Sequence, residues 1–95
     1  MDAELQKAVT GLEETRDRLR DEVAAPLRAD RGRLREADAQ LLLGSLAAVV
    51  DSLRELAGLV AERQYDDRYA RWARPHLKTA WSLLRDGAEQ AGRKV

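Results

Sequence analysis

No cysteine occurs among the 95 residues, and neither does isoleucine or phenylalanine. The first absence removes disulfides, thiolate nucleophiles, cysteine-ligated zinc and iron–sulfur clusters from consideration. The second leaves core building to fifteen Leu, six Val and sixteen Ala. Leu and Val supply 21 of 95 residues, just above the roughly one-fifth below which chains tend to be disordered. A core made from them alone is thin. One histidine, His76, is present, so a triad or a multi-histidine metal site would have to be completed by carboxylates and serines. No cofactor is expected, and the chain reads as a non-enzyme.

No apolar run approaches the roughly 20 residues of a membrane span. The opening residues, Met1-Asp2-Ala3-Glu4, have neither the basic start nor the apolar stretch of a secretory signal. A cytoplasmic location away from membranes is the expectation. Charge of one sign is also missing, because 17 basic and 17 acidic residues cancel. There is no net field to draw in nucleic acid or an anionic surface, and any such contact needs a local patch.

What is abundant favours helix. Leu, Ala, Arg and Glu are strong helix formers, and the β-branched and aromatic residues that favour strands are scarce. At 95 residues one domain is expected. Over 3–24, Leu5, Val9, Leu12, Arg16, Leu19 and Val23 recur at spacings of four and three, which places them on one narrow stripe of a helix. Such a stripe resembles a coiled-coil seam more than the broad face of a globular helix. Arg16 interrupts it. Its guanidinium either reaches water along its stem or pairs with a carboxylate such as Asp51 or Glu55 on a facing helix. Pro26 disfavours helical geometry at Ala25, so a helix end or kink is predicted there, with 25–33 as connector.

The second helix, 34–63, carries Leu42, Leu46, Val49, Leu53, Leu56 and Val60 with the same spacing, and Leu43, Val50 and Ala57 widen that stripe. This element is the expected organiser of the core. A weaker line on its far side, Leu41, Ser45, Ala48, Ser52 and Leu59, mixes small residues with leucine and suits a close helix neighbour. Asp66 or Asp67 is positioned to cap a third helix. Tyr65, Tyr69, Trp72 and His76 follow one stripe, then Leu77, Trp81, Leu84, Ala88 and Ala91 another. Pro75 between them predicts a break or kink near 74, giving segments 66–74 and 75–92. The fold class is therefore all-α, an antiparallel three-helix bundle or an elongated helical hairpin, with four helices as the alternative.

Several features bear on function. Leu46, Leu53 and Val60, faced by Leu12 and Leu19, are the expected centre of a helix–helix contact, with Arg16 setting register. Trp72 and Trp81 read as core, or as anchors of a partner surface if exposed. The function this implies is helix-mediated protein–protein association, as a scaffold or assembly subunit that self-associates or pairs with another helical chain. Two basic clusters, Arg28, Arg31, Arg33 and Arg35, and Arg68, Arg71, Arg74 and Lys78, offer a second reading. The latter lies among Tyr69, Trp72 and Trp81, a combination that a phosphate backbone or a single-stranded base can use. The acidic residues Glu13, Glu14, Asp17, Asp21 and Glu22 alternate with Arg16, Arg18 and Arg20 and read as a solvated face.

Asp51-Ser52-Leu53 resembles the Asp-Ser-Leu of acyl carrier proteins, in which a serine at a helix start accepts a phosphopantetheine arm. The resemblance covers three residues and implies modification at Ser52. Here the apolar run Leu46–Val50 precedes it where that family has a glycine-containing loop, which places Ser52 in mid-helix. The length also matches small helical secretion substrates of the WXG type, but no Trp-x-Gly stands in the chain.

Overall fold

The computed structural model describes residues 3–30, 32–63 and 68–94. Among them there is no strand, and the helical stretches are 3–29, 36–63 and 68–93. The architecture is all-α. Two units can be distinguished, Met1–Arg33 and Leu34–Val95.

The first unit is helical from Ala3 to Ala29 but changes winding on the way. Helix α1 spans Ala3–Arg18, a π-helical stretch covers Leu19–Ala24, and α2 spans Ala25–Ala29. Of the end or kink expected near residue 24, the end is corrected: the helix passes Pro26 and stops at Ala29. The π stretch shows how. Proline has no N–H, and in an α-helix its ring crowds the carbonyl four residues back, here that of Glu22. Just before Pro26 the chain widens to longer-range bonds, with the Ala25 N–H donating to the Arg20 carbonyl five residues back. Insertions of this kind are a recognised way to absorb a local fault in the α-helical ladder. The Asp30 N–H donates to the Pro26 carbonyl at 3.0 Å, Asp30 turns extended, and its carboxylate accepts from the Gly32 N–H. That Asx turn ends the helix.

Within this unit the stabilising contacts are local. Arg18 pairs with Glu22 and Arg20 with Asp17 across one helical turn, while Arg20 also bonds the neighbouring Asp21. Exposed pairs of this type contribute a few tenths of a kcal/mol each. No described side chain of α1, the π stretch or α2 is buried.

The second unit is a helical hairpin of α3 (Glu36–Arg63) and α4 (Arg68–Arg93). Glu36 and Asp38 in the first turn of α3 and Arg63 in its last suit the helix dipole. The two helices run antiparallel. The sites of Gly92 and Gly87 lie against Gln40 and Leu43, Gly44 faces Ala88, Arg54 lies over Trp81, and Arg74 lies against Gly58. Residue numbers therefore rise on one helix as they fall on the other.

The seam between them is built from small residues. Among the described residues, the buried ones are Ala47, Gly58 and Ala61 of α3 and Ala91 of α4. Leu43, Val50, Leu77, Trp81 and Leu84 are half-buried around them. Small side chains let two helix backbones approach closely, but each buries little apolar area. The core is thin.

Pro75 stands inside α4. Of the break or kink predicted near residue 74, the break is absent: one helix, Arg68–Arg93, covers what the sequence divided into two segments. Residues on both sides of the proline, Ala70 and Leu77, share the half-buried seam, so packing on α3 holds the two halves in line despite the missing donor. The Asp66 and Asp67 caps and Tyr65 lie outside the described residues, as does Arg31.

Candidate interaction site

Helix α4 covers only one side of α3. The residues it meets, Gln40, Leu43, Ala47, Val50, Arg54, Ala57 and Ala61, follow the three-and-four spacing of a helical seam. The stronger apolar row lies a little over 100° away around the helix axis, at 100° per residue. Leu46, Val49, Leu53, Leu56 and Val60 in that row remain 41–45% exposed. The seam was expected to use this row or the weaker line opposite. In the structure α4 uses the row's edge, Leu43, Val50 and Ala57, with the small residues beyond it.

Next to the exposed row, Ala37, Leu41, Gly44, Ser45 and Ala48 line a shallow open groove on α3. Ser45, Ser52 and Leu59 border the row on the same side and are exposed. From Leu42 to Val60, neither the row nor this border carries a charged side chain. Ser52 sits in the interior of α3, without the loop that precedes the modified serine of an acyl carrier protein.

In the first unit, Leu12 is 53% exposed and Leu19 41% exposed, on the stripe that also carries Leu5 and Val9. Arg16 donates from Nε and Nη2 to the Asp17 carboxylate at 3.1 and 3.0 Å. Within α3, Asp51 accepts from Arg54 at 2.6 Å.

The two tryptophans have different surroundings. Trp81 is half-buried in the hairpin seam, with the guanidinium carbons of Arg54 and Arg85 at 5.2 and 4.5 Å from its ring centroid. Both distances fall within the range of a cation–π contact. Nothing in the sequence reading anticipated this stack, although Arg54 continues the Val50–Ala57 spacing and Arg85 lies four residues beyond Trp81. Trp72 is 59% exposed and meets only Tyr69, edge to face at 5.6 Å, among the ring contacts of the described residues.

Arg68, Arg71, Arg74 and Lys78 are all exposed on α4. Arg74 and Lys78 line a cleft of about 300 Å³ together with Arg54 and Pro75. Of the interleaved aromatics, Trp81 shares this side of α4 and stacks on Arg54, which lines the same cleft, while Tyr69 and Trp72 lie elsewhere. At 100° per residue, Arg71, Arg74 and Lys78 share one arc of α4, whereas Tyr69, Trp72 and His76 share a nearly opposite one.

No family model matches the chain, and neither a curated protein nor a solved structure matches it. Whatever the site does must be argued from its own geometry. Among the described residues no group of His, Asp or Glu is arranged to hold a metal ion, and no helix is long and apolar enough to cross a membrane.

Proposed function

We propose that the protein acts by helix-to-helix association, as a non-enzymatic scaffold or assembly subunit that pairs with a second helical chain or with itself. One observation carries this reading: after α4 has packed, the α3 row Leu46, Val49, Leu53, Leu56 and Val60 is still open to solvent. Large exposed apolar patches mark interaction sites in folded proteins. Fully burying a leucine-sized side chain is worth about 1.5–3 kcal/mol, so covering the remaining half of each contributes roughly 1 kcal/mol per residue. The small residues of the hairpin seam leave little to offset chain entropy. Association therefore adds stability to a fold that has little of its own.

Light scattering coupled to size-exclusion chromatography, over a range of concentrations, tests this on the chain and its Leu53→Asp variant. The expected result is a mass above the monomer that falls to the monomer in the variant. A monomer whose variant keeps its melting temperature still has a free face for another helical chain. A monomer whose variant melts well below the parent has its row already buried within the single chain, which overturns the reading.

A second reading, contact with nucleic acid or another polyanion, is favoured by the cleft that Arg54, Arg74 and Lys78 share. It requires binding that weakens steeply with salt and is lost when Arg68, Arg71 and Arg74 are neutralised.

A further inference from the structure

The geometry points to a second copy of this chain as the occupant of the α3 row, with two α3 helices lying antiparallel about a two-fold axis at Asp51. This rests on the association reading above and adds the partner and the register. In a two-fold contact the same patch serves both sides, so it must complement itself when reversed. The α3 row does so in three respects.

First, its spacing is symmetric about Asp51. Reversal sets Leu42 opposite Val60, Leu46 opposite Leu56, and Val49 opposite Leu53. Every layer joins two aliphatic side chains, and none is polar.

Second, size alternates in a compensating way along the border of the row. Reversal about Asp51 leaves the small Ser45 of one copy as the border residue nearest the bulky Leu59 of the other, offset by two residues or about 3 Å along the axis, and leaves Ser52 as near to its own copy. Interdigitation of large with small is what close packing requires. In a parallel two-fold pair the two borders would lie on opposite sides of the seam, each against the Val50 and Ala57 edge that α4 already covers.

Third, charge does not oppose the contact. Glu55 and Glu62 lie about 140–160° around α3 from the row, on the side turned away from a second copy. Nothing on the row or its border introduces a charge that would select a chain of different sequence.

The α4 seam lies more than 100° away around α3 and does not obstruct this face. From Leu42 to Val60 the row is about 27 Å long on a helix about 10 Å wide. That is at the small end of specific interfaces, so the dimer is expected to dissociate on dilution.

The absence of cysteine makes the register directly measurable, because single cysteines can be introduced at Ser45, Ser52 and Leu59 without a competing thiol. On mild oxidation of the full chain, Ser52→Cys should form a covalent dimer. Ser45→Cys and Leu59→Cys should each cross-link poorly alone and efficiently when mixed. Adding Leu46→Asp to Ser52→Cys should abolish the covalent dimer, with circular dichroism confirming that the variant remains helical. Poor cross-linking both of Ser52→Cys and of the Ser45→Cys and Leu59→Cys mixture, in a chain that light scattering shows to be dimeric, would establish another register and overturn the inference while leaving helix association standing. A dimer unaffected by Leu46→Asp would move the contact to another face and overturn it too. A chain that stays monomeric at every concentration, with Leu53→Asp leaving its melting unchanged, would overturn self-pairing but leave the row open to a different helical chain.

Discussion

Arg54 of α3 holds its guanidinium between the carboxylate of Asp51, 2.6 Å away, and the indole ring of Trp81 on α4, 5.2 Å from the centroid. The ion pair lies within α3 and the ring contact crosses to α4, so one side chain ties the conformation of one helix to the position of the other. Arg85 approaches the same ring at 4.5 Å. The indole is thus flanked by two cations that are themselves part of the hairpin surface.

Substituting Arg54 by Lys should therefore destabilise the hairpin although charge is retained. A planar guanidinium can stack on a ring and bond a carboxylate in the same pose, and an ammonium has no such plane. The expected loss is about 1 kcal/mol, read as a lower denaturation midpoint by circular dichroism. Arg54→Met, which keeps the aliphatic stem without any charge, should lose at least as much. An unchanged midpoint in both variants would show that the stack contributes nothing to stability.

Ala47 is 5% exposed at the α3–α4 seam, and its neighbour Ala48 is exposed. Leucine at position 47 has to push the helices apart, at a cost of about 1–3 kcal/mol. Leucine at position 48 meets open solvent and should change stability by less than roughly 0.5 kcal/mol. Chemical denaturation of the two variants separates these outcomes. Equal effects would contradict the seam described here, since the residues differ only in which side of α3 they occupy.

The all-helical fold was legible because composition and apolar spacing agreed along most of the chain, most clearly from Leu42 to Val60. The face on which α4 docks was not. Ranking positions by hydrophobicity selects Leu46, Leu53 and Val60, but two helices come closest where side chains are small, at Ala47, Gly58, Ala61 and Ala91. Leu77, Trp81, Leu84, Ala88 and Ala91 on α4 were readable as one stripe because there the apolar and docking faces coincide. Both prolines read as helix ends or kinks from sequence alone, and the helix continues through both. A proline removes one donor and crowds one carbonyl, and a change of winding before Pro26 or packing on both sides of Pro75 outweighs that local fault. The Arg54–Trp81–Arg85 stack escaped notice because it joins residues far apart in sequence, with no local pattern to mark it.

Pro75 should cost the hairpin stability even though the helix continues through it. It is exposed and inside α4, where alanine would restore a backbone donor and relieve the ring. Helix-interior proline is disfavoured by about 3 kcal/mol relative to alanine. Pro75→Ala should recover about 1–3 kcal/mol, because adaptation around the proline has already reduced the penalty. For a domain of this size each kcal/mol moves the melting temperature by roughly 4–8 °C. A fall in melting temperature would mean that the proline fixes a bend that α4 needs in order to follow α3.

The acid response of the first helix should be governed in part by Arg20 and Asp21. The guanidinium of Arg20 bonds the Asp21 carboxylate at 2.9 Å. That hydrogen bond, with the attraction between the charges, holds the Asp21 carboxyl below its usual range. The same bond leads the causes that raise Arg20, helped by the charges of Asp21 and Asp17. A carboxyl depressed in the folded state stabilises above its unfolded value, and the contribution is lost as pH falls through its folded value. Arg20 adds no loss on the acid side, because a raised cationic group stays charged there. Helicity measured by circular dichroism should therefore be insensitive to pH near neutrality and decline only below the ordinary carboxylate range. Since both groups are fully exposed, the decline should be shallow and should shrink further in high salt. Arg20→Gln, which removes the charge and weakens the bond, should move the onset of the decline to higher pH. An onset that stays in place would show that the Arg20–Asp21 pair does not govern the acid response.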